Sequence, residues 1–251
     1  MQGLLTKKVA IITGASRERG IGLATARLFA EHGATVVITD LAIEDPLRAA
    51  AGLGSGHLGL VCDVTDLAAC RAVAAEVIRR FGCIDVLVNN AGITQRRGVM
   101  AVTADDYDLV TGVVLRGTLH MSQAVIPHMR SRGSGAIVCM SSMSGQQGGG
   151  VFGGTHYCAA KAGVIGMAKA MAKELGPDGI RVNSVAPGLI LTDFSRGANS
   201  DEAKHEMAKA FPLRRIGRPV DIAGACLYLA SDLAAFTTGT TLDVNGGAHI
   251  R

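Results

Sequence analysis

The stretch VAIITGASRERGIG, residues 9–22, predicts the type of fold. Its first four residues are apolar and mostly β-branched, which is typical of a buried parallel strand. The glycines favour a sharp turn, and Gly20 and Gly22 stand where the next helix opens. Because N–H groups at a helix N-terminus bind phosphate, the stretch predicts a strand, a pyrophosphate-binding turn and a helix. The alternative is an ordinary glycine-rich turn.

Short apolar runs alternate with longer helical patterns along the rest of the chain. The predicted strands are residues 9–12, 36–38, 86–88, 136–138 and 182–185. The predicted helices are residues 22–32, 67–81, 104–130, 157–175 and 220–230. Such βα units combine most simply into one Rossmann-type, doubly wound parallel sheet with helices on both faces. We expect a single α/β domain over residues 1–251, in which residues 189–216, called here the predicted lid, cover a substrate pocket.

The composition argues against several classes of protein. The chain has 251 residues, 48% of them hydrophobic, and a formal net charge of only +4. Its basic pairs are scattered, so they predict no patch for nucleic acid. The longest uncharged stretch, residues 133–160, is interrupted by Gly, Ser and Gln and does not predict a membrane span. Since the N-terminus shows no signal-peptide pattern, we expect a cytoplasmic protein.

The six cysteines predict no metal site. They stand at positions 62, 70, 83, 139, 158 and 226, without a CxxC pair or a matching histidine spacing. Free thiols are therefore expected. Cys158 adjoins Tyr157, but neighbouring residues of a helix point to different faces, so we leave Cys158 out of the candidate site.

Asp40 is the expected determinant of the coenzyme. It closes the second strand twenty residues after Gly20, where a carboxylate can accept hydrogen bonds from ribose hydroxyls. The same carboxylate would repel a 2′-phosphate, which favours NAD over NADP. Arg17 and Arg19 argue the other way, because either cation could neutralise that phosphate. The alternative for both arginines is a solvated loop charge.

Tyr157 and Lys161 stand at the start of another predicted helix. Their i, i+4 spacing places the phenol and the ammonium on one face. Free tyrosine has a pKa of about 10 and is a poor base at neutral pH, but a neighbouring cation favours the phenolate. The pair is therefore a candidate for proton transfer. Taken alone, such a pair is more often exposed on a helix surface.

Further motifs follow in order along the chain. They are Asn89-Asn90-Ala91-Gly92, Ser141-Ser142, Tyr157 with Lys161, Pro187-Gly188 and Asp243-Val244-Asn245-Gly246-Gly247. Together with the glycine turn they cover nearly the whole chain. In these motifs the sequence resembles the short-chain dehydrogenase/reductase family, most closely its 3-oxoacyl-carrier-protein reductases and its polyol and sugar dehydrogenases.

The resemblance implies roles for individual residues. Ser142 would bind the substrate oxygen, Tyr157 would transfer the alcohol proton, and Lys161 would lower the tyrosine pKa and bind the nicotinamide ribose. Asp63 and Val64 would bracket adenine. The residues implied to bind the coenzyme are Gly14, Ser16, Arg17, Gly20, Ile21, Gly22, Asp40, Asp63, Val64, Asn90, Ala91, Gly92, Tyr157, Lys161, Pro187, Gly188, Ile190 and Thr192.

Two departures from the family pattern concern spacing. Five residues separate Gly14 from Gly20 where three are usual, so the phosphate contacts are expected to shift around residues 17–19. The stretch that ends at the catalytic tyrosine is about two residues longer than usual, which makes Ser144 a rival to Ser142. We prefer Ser142 because it directly continues the strand that precedes it.

A third departure is Val114, which replaces the usual helix asparagine of the family. That asparagine is thought to hold a water in the proton path of related enzymes. Valine cannot form hydrogen bonds, so the relay must be altered. Gly112 favours a local distortion of the helix over residues 111–116, whose carbonyls could hold such a water instead.

The expected function is hydride transfer between NAD(H) and a secondary alcohol or ketone, carried out by a homotetramer. The motifs predict neither the particular substrate nor the favoured direction. Two alternatives remain: a nucleotide-binding regulator that has lost turnover, which Val114 suggests, and an NADPH-linked 3-oxoacyl thioester reductase. An epimerase or dehydratase is disfavoured, because such relatives usually carry a larger C-terminal region.

Overall fold

The central element is one parallel sheet. The computed structural model describes residues 3–149, 153–194 and 200–250. Within them, seven parallel strands follow the order β3-β2-β1-β4-β5-β6-β7. The strands are β1 (Val9–Thr13), β2 (Thr35–Asp40), β3 (Leu58–Val61), β4 (Val86–Asn89), β5 (Gly135–Met140), β6 (Ile180–Pro187) and β7 (Thr241–Val244). The predicted doubly wound α/β fold is confirmed.

Helices connect the strands and cover the sheet. Those of the described residues are α1 (Ile21–Glu31), α2 (Pro46–Ala51), α3 (Leu67–Phe81), α4 (Ala104–Thr111), α5 (Gly117–Arg132), α6 (Ser144–Gln147), α7 (Thr155–Leu175), α8 (Asp201–Ala208) and α9 (Pro219–Ala230). A π-helical segment, Gly112–Arg116, joins α4 to α5. The helix predicted over residues 104–130 is therefore one helical stretch with a widened turn, and it ends two residues later than predicted.

Two apolar clusters lie on opposite faces of the sheet. Ile11 of β1 packs in the cluster that contains apolar residues of α3, α5 and α7. Its neighbour Ile12 packs in the cluster formed with α1 and α9. Because successive side chains of a strand point to opposite faces, a strand covered on both sides must be apolar throughout. This explains the unbroken apolar run of β1.

The sheet order changes direction at β1, which pairs with β2 on one side and β4 on the other. Connections leave in opposite directions at such a point, and a crevice opens at the carboxyl ends of the strands. Gly14 directly follows β1, and Asn90 directly follows β4. The predicted glycine turn therefore stands at the crevice.

The helical stretch Ala104–Arg132 is long and apolar enough to span a membrane by length and composition alone, and 44% of its most apolar window is buried. Its second part, α5, packs against α3 and against β4 and β5. These contacts are those of a core helix, so they account for the apolar residues of the stretch.

Candidate active site

A cleft of about 460 Å³ opens at the carboxyl ends of the central strands. It contains most of the residues that the sequence predicted for the site. Those that line it are Gly14, Arg17, Gly20, Ile21, Asp40, Asn90, Ala91, Gly92, Ser142, Tyr157, Lys161, Pro187, Gly188, Ile190 and Thr192. Ser16, Gly22, Asp63 and Val64 do not line it.

The glycine turn approaches the end of β4 too closely for side chains. Gly14 has a φ of +62°, and a Cβ there would lie 2.7 Å from the Cα of Ala91. A Cβ on Gly22 would lie 2.6 Å from Nδ2 of Asn90. That Nδ2 donates to the main-chain oxygens of Thr13 and Gly14, at 2.9 and 2.7 Å. Asn90 therefore fixes the turn at the floor of the cleft.

The N-terminus of α1 fits a pyrophosphate. Gly20 is its N-cap, no side chain caps it, and its first turn holds no acidic residue. The hydroxyl of Ser16 is buried and makes no hydrogen bond among the described residues. It nevertheless lies close enough to Asp40 to help lower the pKa of that carboxyl. Free backbone donors, the helix dipole and an unpaired hydroxyl are the groups that bind phosphate oxygens.

Asp40 is anchored where β2 meets the glycine turn. Its Oδ2 accepts the N–H of Ser16 at 3.0 Å, and its Oδ1 accepts the N–H of Leu41 at 2.9 Å. Burial raises the pKa of Asp40 above its ordinary value, and the two backbone hydrogen bonds partly oppose that rise. The carboxylate is therefore held at the edge of the cleft, as expected for a group that contacts ribose.

Both arginines of the glycine turn are paired with carboxylates. Arg17 donates to Glu44 through Nε at 3.1 Å and through Nη2 at 2.5 Å. Arg19 pairs with Asp201 at 2.6 Å and with Asp193 at 3.3 Å. Neither arginine is an isolated loop charge. Arg17 is tied to the turn after β2, and Arg19 is tied to the predicted lid.

Tyr157 lies in the first turn of α7 and is 6% exposed. Burial raises the pKa of its phenol, and the nearby hydroxyl of Ser142 partly opposes that rise. Burial has the larger effect, so the phenol remains protonated at neutral pH. The N–H of Ser144 donates to Oγ of Ser142 at 3.1 Å. Ser142 is thus the serine whose hydroxyl lies near Tyr157, and the backbone of its rival Ser144 hydrogen-bonds to that hydroxyl.

Lys161 is buried one helical turn after Tyr157. Its ammonium donates to the main-chain oxygen of Met140 at 2.6 Å and lies 5.9 Å from the centre of the tyrosine ring. Burial lowers the pKa of Lys161 to about 8. That Lys161 also lowers the pKa of Tyr157, as the family resemblance implies, stays a prediction. Burial has the larger effect on the phenol, and the ammonium makes its hydrogen bond to Met140.

Val114 lies in the π-helical segment and is 1% exposed. In this segment the N–H of Gly117 bonds to the oxygen of Gly112, five residues back. The distortion predicted for residues 111–116 is thus confirmed. A Cβ on Gly92 would lie 3.6 Å from Nζ of Lys161 and 3.9 Å from Cγ2 of Val114. Val114 and the ammonium of Lys161 therefore both lie close to Gly92, although Val114 itself does not line the cleft.

Asp63 and Val64 follow β3 and do not line the cleft. Oδ1 of Asp63 accepts both the N–H and the hydroxyl of Thr65. Val64 is buried against Gly117, where a Cβ would lie 2.6 Å from its Cγ2. The role that the family resemblance gives these two residues toward adenine stays a prediction.

The walls of the cleft contain residues that the sequence analysis did not single out. Most are apolar, and the ring of Phe194 lies 6.2 Å from the ring of Tyr157. These residues have no periodic spacing that would mark them. They are Leu41, Glu44, Ile93, Met140, Met143, Gln147, Leu189, Asp193, Phe194, Lys204, Met207, Phe211 and Ala248.

Comparison with known proteins agrees with this geometry. A family profile described as enoyl-(acyl carrier protein) reductase matches residues 14–249. An uncharacterized short-chain type dehydrogenase/reductase of Sinorhizobium fredii is 50% identical, over 98% of this chain and 99% of its own. The chain belongs to the short-chain dehydrogenase/reductase family.

Other members of the family match the chain over nearly its whole length. A 3-oxoacyl-[acyl-carrier-protein] reductase of Chlamydia muridarum is 43% identical, over 98% of this chain and 99% of its own. An uncharacterized oxidoreductase of Mycobacterium bovis is 42% identical over the whole of both chains. The protein is therefore an oxidoreductase of a family that uses NAD(P).

Proposed function

We propose that this protein transfers a hydride between NAD(H) and a secondary alcohol or ketone, with Tyr157 as the general acid and base. The observation that carries the proposal is the buried Tyr157, which lies near Ser142 in the same cleft as the glycine turn and Asp40. One end of the cleft thus offers groups for a dinucleotide, and the other offers a proton donor.

The chain's own residues would position the substrate oxygen and move its proton. Bound nicotinamide would supply the hydride chemistry. In ketone reduction the phenol of Tyr157 donates its proton to the developing alkoxide, and the hydroxyl of Ser142 donates a hydrogen bond to the same oxygen. The raised pKa of Tyr157 suits this acid role. In alcohol oxidation the phenolate accepts the proton, and the nearby charge of Lys161 stabilises it.

The charges around the adenosine end support NAD over NADP. Asp40 is fixed by two backbone hydrogen bonds, and Arg17 already pairs with Glu44. A 2′-phosphate beside Asp40 would meet a like charge, which costs roughly 4 kcal/mol at 4 Å and an effective dielectric constant of 20. The opposing argument from the sequence, that Arg17 neutralises the phosphate, is weakened because this cation has a partner.

The cleft wall favours a substrate with an apolar substituent. Met143, Met207 and Phe211 line it, together with Phe194, whose ring lies 6.2 Å from that of Tyr157. Apolar side chains exclude water and make the burial of a hydrocarbon substituent favourable. A polyol bound against them would bury hydroxyls without hydrogen-bond partners, which is unfavourable. This observation also favours a second candidate, the reduction of 3-oxoacyl thioesters, the reaction named for the relative from Chlamydia muridarum.

A substrate panel followed by NADH absorbance tests the proposal. It contains secondary alcohols, simple and cyclic ketones, polyols and 3-oxoacyl thioesters, each with NAD(H) and with NADP(H). We expect turnover of apolar ketones and alcohols, and at least a hundredfold loss in Tyr157→Phe with NADH affinity nearly unchanged. Activity of Tyr157→Phe within tenfold of the natural protein would contradict the assignment.

The family resemblance also supports a homotetramer, which we propose together with a cytoplasmic location. Tyr107 and Leu109 of α4 and Leu119 of α5 are exposed apolar residues on one helical stretch. Exposed apolar groups of this kind are buried when subunits associate. Sedimentation of the protein at micromolar concentration should give the mass of four chains.

A further inference from the structure

We infer that Glu44 is a second determinant of coenzyme choice, because it holds Arg17 in an ion pair and so withholds that cation from a 2′-phosphate. The inference rests on the proposed function, since it requires a dinucleotide bound beside Asp40. It assigns a role to a residue that no sequence motif marks.

Local backbone structure places Glu44 against the glycine turn. Residues Ala42–Glu44 form a 3-10 turn directly after β2, in which the N–H of Glu44 donates to the oxygen of Leu41. The next residue, Asp45, has a φ of +50° and caps α2 by accepting the N–H of Arg48. The chain is therefore fixed on both sides of Glu44, and its side chain reaches Arg17 of the glycine turn.

The ion pair uses both carboxylate oxygens of Glu44. Nε of Arg17 donates to Oε2 and Nη2 donates to Oε1. The two side chains are 35% and 25% exposed, so the pair is partly shielded from water. Bidentate, charge-assisted pairs of this kind are stronger and better oriented than a single surface contact. A phosphate could use these two donors of Arg17 only by displacing Glu44.

Other carboxylates strengthen the hold on Arg17. Its pKa is raised first by the hydrogen bond to Glu44 and further by the charges of Glu44, Asp40 and Asp193. One guanidinium thus faces three carboxylates. A 2′-phosphate that entered here would add a fourth anion around Arg17. Arg19 of the same turn already pairs with Asp193 and Asp201.

No other cation among the described cleft residues is placed to replace Arg17. Lys161 donates to Met140 at the catalytic end. Lys204 donates to the main-chain oxygen of Thr192 and to Asp201. Discrimination against the phosphate should therefore depend on whether Arg17 is held or released.

The test is the affinity for NADH and NADPH, measured by nicotinamide fluorescence in the natural protein and in Glu44→Gln. The chain has no tryptophan, so the protein background is low. We expect NADPH to bind about tenfold more tightly to Glu44→Gln, a change of about 1.4 kcal/mol. NADH affinity should change by less than threefold, because its 2′-hydroxyl does not require Arg17. Glu44→Ala, which cannot hydrogen-bond Arg17 at all, should show at least the same gain for NADPH.

Two further variants separate the pair from a general charge effect. Glu18→Gln removes the same charge from an exposed carboxylate of the same turn that pairs with Arg27, and it should change NADPH affinity by less than twofold. The double variant Arg17→Ala/Glu44→Gln should lose the gain. Equal gains in Glu18→Gln and Glu44→Gln, or a gain that survives in the double variant, would overturn the inference.

The outcomes distinguish this inference from the proposed function. A natural protein that binds neither NADH nor NADPH overturns both. A natural protein that prefers NADH, with NADPH affinity unchanged in Glu44→Gln and Glu44→Ala, overturns the role of Glu44 and leaves the proposed function standing.

Discussion

At the residue scale, Tyr157 and Lys161 show how burial changes side-chain chemistry that spacing alone predicts. Their four-residue spacing predicted one helix face, and α7 provides it. Burial of the pair depends on Met140, which precedes α7, and on the predicted lid, which follows it. Such contacts join distant parts of the chain and have no sequence signal. The sequence therefore predicted that the two side chains share a helix face, but not that burial raises the pKa of the tyrosine.

The burial of Lys161 makes stability depend on pH. Its pKa falls from 10.5 to about 8, so at pH 7 the burial of the ammonium lowers the free energy of unfolding by about 3 kcal/mol. Lys161→Met should remove that cost and lose the hydrogen bond to Met140, for a net gain of about 1–2 kcal/mol. Between pH 8 and 10.5 the unfolded lysine binds more proton than the folded one, so the natural protein gains stability there and the advantage of the variant should shrink.

Urea unfolding of the two proteins at pH 7 and pH 9.5 measures this difference. Lys169→Met is the matched control, because Lys169 is an exposed lysine of the same helix. It should change stability little and equally at both pH values. An advantage of Lys161→Met that stays the same at pH 9.5 would show that the buried charge is not its source.

At the element scale, the sequence predicted the inner strands of the sheet and the long helices, and it did not mark the edge strands or the shortest helices. The central strands β1 and β4 are buried throughout and read as apolar runs. The edge strands β3 and β7 have four residues each, and their apolar residues are interrupted by Gly59 and Asp243, so neither forms an unbroken apolar run. The short helices α2 and α6 have six and four residues, too few for a helical period.

The π-helical segment Gly112–Arg116 decides what Val114 does to the proton path. A widened turn takes a backbone carbonyl out of the regular α-helical pattern and often marks a functional site. Since the segment adjoins Lys161, a water held by backbone oxygens could replace the family's asparagine. We therefore expect the natural protein to turn over, and Val114→Asn to change its rate by less than about tenfold, or about 1.4 kcal/mol.

Steady-state rates of Val114→Asn and Val114→Leu test this expectation. Leucine resembles asparagine in shape but forms no hydrogen bond, so it controls for packing. Similar rates in all three proteins fit a relay through backbone-bound water. Strong activity only in Val114→Asn would instead indicate an enzyme silenced at this position.

At the scale of the whole molecule, the cleft joins parts of the chain that are far apart in sequence. Its floor comes from the ends of the strands, which the order of βα units predicted. Its walls come from the turn after β2 and from the predicted lid, whose residues 195–199 lie outside the described residues. Arg19 links that lid to the glycine turn through Asp193 and Asp201. The sequence predicted the segment but not these contacts, because ion pairs between distant segments leave no local pattern.

The transfer of deuterium from NADH labelled at both C4 positions tests the central claim most directly. The label is followed by mass spectrometry in the products of the ketones and 3-oxoacyl thioesters of the panel. We predict an alcohol with one deuterium on its carbinol carbon, formed by the natural protein and at least a hundredfold more slowly by Tyr157→Phe. NADH that binds while no compound of the panel acquires the label would contradict hydride transfer and favour a nucleotide-binding regulator.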